Sequence, residues 1–97
     1  GRFIGADEAL AMGLVNQVVP EGEDVYAAAR AWASRYVGGP AMAYAAAKQV
    51  IDRGLEVDLA TGLEIERMAF ASLFATEDQK IGMAAFVAKE KPTFTGR

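Results

Sequence analysis

Residues 76–97 read TEDQKIGMAAFVAKEKPTFTGR, and the reading of this stretch decides the fold class. Thr76 and Gln79 match a capping box, in which the hydroxyl accepts the third backbone N–H of the new turn and the Gln side chain reaches back. Glu77 and Asp78 suit the positive end of a helix dipole. The spacing therefore predicts a helix from Thr76 to about Glu90. It must end before Pro92, which disfavours helical geometry at Lys91. On this helix Phe86 and Lys89 stand one turn apart, where residues are neighbours on one surface.

Working upstream, the same signals repeat. A helix is predicted from about Asp58 to Phe74, with Leu59, Leu63, Glu66, Phe70 and Phe74 on a shared face. Pro40 fits a first-turn position ahead of another helix running to about Arg53, with Ala43, Tyr44, Ala47, Val50 and Ile51 on its apolar side and Gly54 as its stop. Asp24 is an N-cap for a helix whose stripe is Val25, Ala29, Trp32 and Tyr36, ended by Gly38 and Gly39; Arg30 and Arg35 lie off the stripe. Trp32 and Tyr36 are expected to be core. A short helix from Asp7 to Met12 closes on Gly13, and Leu14 to Val19 reads as an extended connector stopped by Pro20. The expected fold class is all-α, with four to five short helices joined by tight Gly and Pro connections.

With 97 residues, the chain is one domain at most, and twenty of those residues are alanine, so the hydrophobic fraction of 53% overstates the core it can bury. A payload this thin points to self-association or to a larger whole. Cys and His are both absent, which excludes a zinc site, a thiol nucleophile and a histidine base. A net charge of -3 argues against a nucleic-acid surface, which needs clustered positive charge. No apolar run is long enough for a membrane span and no signal peptide is seen, so the expected setting is cytoplasmic. The glycines fall at helix ends and form neither a phosphate loop nor a dinucleotide fingerprint.

Read in order, GRFIGADEALAMGLVNQVVP, Ala47-Lys48, Gly62, Glu66, Phe70 and FATEDQKIGMAAFVAKEKPTF resemble the C-terminal part of the enoyl-CoA hydratase/isomerase, or crotonase, superfamily. The resemblance is collinear over essentially the whole chain. It implies that residues 1–97 are a single C-terminal helical subdomain, used for trimerisation, and that the N-terminal β-β-α spiral core is absent from this chain. In that family two backbone N–H groups of the core hold the thioester oxygen, and one or two carboxylates upstream move protons. The resemblance thus assigns no catalytic residue and no metal ligand here, and implies a full-length enzyme whose 97-residue segment is inactive alone.

It does assign a binding edge. The Phe and Lys of the family's Ala-Phe-x-x-Lys motif fall on Phe86 and Lys89, which are expected to meet the adenine and phosphate end of a CoA thioester, the substrate; no prosthetic group is implied. Many relatives carry Arg where this chain has Glu90, and often Glu where it has Ile81. The implied partners are an acyl-CoA and further copies of the chain, as a trimer or dimer of trimers, with no nucleic acid and no membrane. Hydration of trans-2-enoyl-CoA in fatty-acid metabolism is the expected activity. The alternatives are a non-catalytic helical association module, or the same segment of an isomerase or another crotonase-family enzyme. Glu66 and Asp78 are expected to be structural rather than paired acid-base groups, Asp78 in its first turn and Glu66 satisfied by a nearby backbone group or Arg.

Overall fold

The computed structural model describes residues 1–97 and contains five α-helices and no strand: α1 Ala6–Ala11, α2 Val25–Ser34, α3 Ala41–Gly54, α4 Leu59–Leu73 and α5 Glu77–Ala88. The all-α expectation holds. Two compact units are present, Gly1–Arg35 and Tyr36–Arg97. No helix is long and apolar enough to cross a membrane.

In the first unit, α1 stops as its sequence predicts. Gly13 takes φ 74°, its N–H donates to the Leu10 carbonyl at 3.0 Å, and the Leu14 N–H reaches the Ala9 carbonyl at 2.9 Å. This pair of bonds is a Schellman motif, with glycine in the left-handed position that costs other residues steric energy. The Arg2 guanidinium grips Glu8 with both nitrogens, which holds the Glu8 carboxyl below its ordinary range and raises Arg2. Asp24 caps α2 by accepting from the Tyr26 and Ala27 N–H groups at 2.9 and 3.1 Å.

One expectation about α2 is corrected. The helix ends at Ser34, so Tyr36 is not a member of its stripe, and Gly38 and Gly39 lie beyond its end instead of terminating it. Arg35 turns back there, donating from Nε to the Trp32 carbonyl at 3.2 Å, with its guanidinium carbon 5.1 Å from the centre of the Trp32 ring. That contact satisfies a terminal carbonyl and covers part of the indole face. Even so, Trp32 and Tyr36 are exposed rather than core within this chain.

The second unit begins with Tyr36, which meets Tyr44 edge-on at 5.7 Å between ring centres. The Tyr44 ring packs on Tyr36 and Tyr44 stays exposed. A Cβ at Gly39 would overlap the Tyr44 ring, so the ring rests where glycine alone leaves room. Pro40 is the N-cap of α3 and not its first turn. On α3, Ala43, Ala46, Ala47, Val50 and Ile51 face Glu66, Ala69, Phe70 and Leu73 of α4 across a shallow groove of about 290 Å3.

Asp58 caps α4, accepting the Thr61 N–H at 3.1 Å and the Thr61 hydroxyl at 2.6 Å. The hydroxyl first, and the backbone donor second, hold the Asp58 carboxyl below the usual carboxylate range. Gly54 remains inside α3 with an ordinary negative φ, so it is not the left-handed stop its position suggested. Its use is proximity: a Cβ on Gly62 would stand 3.7 Å from the Gly54 Cα, an ordinary contact. Gly62→Ala should therefore fit, and is expected to raise stability by roughly 0.5–1 kcal/mol through helix propensity. A thermal melt checks this; a lowered midpoint would mean that α3 and α4 need the missing Cβ to approach.

Candidate functional site

The α5 helix carries Phe86, while Lys89, the other sequence-predicted site residue, caps its C-terminal end; the two ends of the helix are built differently. At the N-terminal end the Thr76 hydroxyl accepts the Gln79 N–H at 3.1 Å, while the Thr76 N–H already donates to the Leu73 carbonyl at 3.0 Å. Half of the expected capping box is thus made. The reciprocal half is replaced by the turn that joins α4 to α5.

At the C-terminal end, α5 stops at Ala88, two residues short of the expected Glu90. Lys89 caps it in the left-handed region, with φ 57° and ψ 37°, and it is the one non-glycine residue with positive φ. Its N–H donates to the Phe86 carbonyl at 3.3 Å, and the Glu90 N–H donates to the Ala85 carbonyl at 2.9 Å. These bonds repeat those around Gly13, so one chain contains the same motif with its usual glycine and with a lysine. A non-glycine residue there costs on the order of 1 kcal/mol. Phe86 lies on the last turn at 80% exposure, with Val87 beside it similarly open. An aromatic face and a cation thus occur at one helix end, but Lys89 leaves the helix rather than extending the Phe86 face.

Asp78 has a partner that its first-turn position did not reveal. At 3% exposure it is the most buried charged side chain. Its Oδ1 accepts the Thr95 N–H at 2.7 Å and the Thr95 hydroxyl at 3.1 Å, and its Oδ2 accepts the Gly96 N–H at 2.9 Å. In return, the Asp78 N–H donates to the Arg97 carbonyl at 2.9 Å. The sequence shows a dipole-friendly carboxylate; only the returning tail shows what it holds. The Thr-Gly pair shortly after a proline was the available hint, since such residues suit a turn.

Glu66 and Asp78 do not form an acid-base pair, since the donors above occupy both Asp78 oxygens. Glu66 instead stands in the α3–α4 groove among alanine, valine and isoleucine side chains. Glu66 is exposed there, so its carboxylate reaches solvent and does not take the partner expected from the chain; the adjacent Arg67 pairs with Glu64. No three acidic side chains converge to hold a metal ion. Phe94 has its ring 3.4 Å from where a Cβ on Gly82 would be, in a cavity of about 210 Å3 that also includes Pro40 and Leu73.

Comparison with known proteins gives a consistent result. The family model described as enoyl-CoA hydratase/isomerase matches residues 1–97. The chain is 44% identical over 88 residues to a short-chain-enoyl-CoA hydratase of Clostridium acetobutylicum, covering 91% of this chain and 33% of that protein. It is 42% identical over 100 residues to the human protein named enoyl-CoA hydratase domain-containing protein 2, mitochondrial, covering 100% of this chain and 34% of the relative. A crystal structure of enoyl-CoA hydratase from Bacillus anthracis superposes with a TM-score of 0.88 at 36% identity, covering 100% of this chain and 37% of the other. The chain spans about a third of the length of these relatives.

Proposed function

Given that the chain belongs to the enoyl-CoA hydratase/isomerase family, we propose that the complete protein adds water to trans-2-enoyl-CoA thioesters, and that residues 1–97 form its C-terminal helical subdomain. In this reading a hydroxyl forms its bond to the β-carbon and a proton to the α-carbon, while groups outside residues 1–97 hold the thioester oxygen and move the protons. The present residues supply no acid or base to that step. Phe86 stacks on the adenine of CoA and Lys89 meets a phosphate, so the segment binds the end of the substrate remote from the chemistry.

The observation that carries this proposal is the match of the whole chain to the family, together with an exposed aromatic and a left-handed lysine at one helix end. An aromatic face on a purine is worth roughly 1–3 kcal/mol by analogy with base stacking. The cytoplasmic setting is carried as part of the proposal, although the human relative is by name mitochondrial. The test is a hydration assay with crotonyl-CoA on the complete protein. Loss of the enoyl absorbance is expected. Migration of the double bond in a 3-enoyl-CoA with no hydration would instead select the isomerase reading.

A second reading has its own observation. Leu63, Met68 and Phe70 of α4 and Phe74, its C-cap, are all exposed within the chain. Side chains of this kind at several angles around a helix need cover, and further copies of the chain, arranged as a trimer, are the proposed cover. Association and CoA binding are compatible roles for one segment.

A further inference from the structure

The tail following α5 runs back along the helix and is fastened at its far end. From Asp78 to Lys89 the helix rises about 16 Å at its standard pitch. From Lys89 to Thr95 a fully extended chain reaches about 20 Å. The slack is about one residue. A helix that continued past Ala88 would lengthen the return path and shorten the chain left to cover it, so the reversal has to occur at once, and the left-handed Lys89 makes it.

The fastening is substantial. Both oxygens of buried Asp78 accept from Thr95 and Gly96, the Arg97 carbonyl takes the Asp78 N–H, and Phe94 lies against the bare Gly82. Gly96 itself sits at φ 79°, which lets the tail curl onto the carboxylate. At Gly13 the same helix-ending motif uses glycine and needs no such strap. At Lys89 a side chain is kept in a strained conformation, and strain of this kind persists only where the surroundings over-determine it.

We propose that Asp78 is a positioning residue for Lys89: by clamping residues 95–96 it holds Lys89 in the left-handed conformation and so sets where its ammonium stands. The first half rests on geometry alone. The second half, that this placement serves phosphate binding, rests on the function proposed above.

The test compares Asp78→Ala and Thr95→Pro in the complete protein, the second removing a tail donor while leaving the α5 sequence intact in case the first fails to fold. Hydrogen exchange at the Lys89 and Glu90 amides is expected to accelerate at least tenfold in both, with α4 unchanged. The dissociation constant for CoA should rise several-fold. Adding Asp78→Ala to Lys89→Ala should raise it no further, since the two act on one contact. Unchanged exchange at Lys89 and Glu90, with the Gly96 amide deprotected, would overturn the clamp. Accelerated exchange with CoA binding unaffected by any of these variants, Lys89→Ala included, would leave the clamp standing and overturn the binding role of Lys89.

Discussion

Lys89→Gly is expected to make the protein more stable and a poorer binder of CoA thioesters. Glycine occupies the left-handed position without a Cβ penalty, so the end of α5 should gain about 1 kcal/mol, as the glycine at Gly13 illustrates for the same bonds. Removing the ammonium deletes the proposed charge-assisted contact to phosphate. Such contacts contribute about 1.5–3 kcal/mol, and at an exposed site the lower end applies, giving a roughly tenfold rise in KM with kcat little changed. Lys89→Ala separates the two effects: it loses the charge and keeps the strained backbone, so KM should rise equally while the thermal midpoint stays near that of the parent. A KM unchanged in both variants would remove Lys89 from the CoA edge. A midpoint lowered by glycine would show that the lysine backbone carries no strain.

The second large effect is expected from the 97-residue chain taken alone. Ala9 is its one buried apolar residue, and no large side chain is fully buried. Phe70 and the α4 C-cap Phe74 touch edge to face with ring centres 5.4 Å apart, yet both remain exposed, as do Leu59, Leu63 and Met68 of α4. Each large apolar side chain contributes roughly 1.5–3 kcal/mol only when it leaves water. Ordering the backbone costs about 1–2 kcal/mol per residue, and caps at Asp24, Asp58 and Thr76 offset only a small part of that. The isolated chain should therefore show either low helicity by circular dichroism or a mass in light scattering well above that of one copy. It should also fail to hydrate crotonyl-CoA. A monomer with full helicity and a sharp melt would contradict the need for cover, and measurable hydration would place catalytic groups within residues 1–97.

The helices were legible because their ends are local chemistry. Asp24, Asp58 and Thr76 each accept a backbone N–H from the turn they begin, and Gly13 adopts the conformation that glycine at a helix end suggests. Periodicity was less reliable where a side chain had a better partner elsewhere. Tyr36 and Tyr44 fit helical stripes on paper, but the glycine surface at Gly39 lets their rings meet each other. Glu66 fits the α4 stripe and does lie on it, in a groove that gives its carboxylate no partner from the chain. The candidate site residues Phe86 and Lys89 rest on the motif they share with a family; spacing alone would leave Phe86 as a core aromatic and Lys89 as a solvated charge.

By itself, then, the sequence determined the all-helical class, most of the helix starts and the kinds of chemistry excluded by the absence of Cys and His, because those follow from neighbours along the chain and from composition. Only the tertiary structure decided that α5 ends at Ala88, that a lysine takes the position glycine holds at Gly13, and that Asp78 grips a tail seventeen and eighteen positions away. Those features depend on how far an extended tail reaches along a helix of fixed rise, a distance in space that no local pattern of residues encodes.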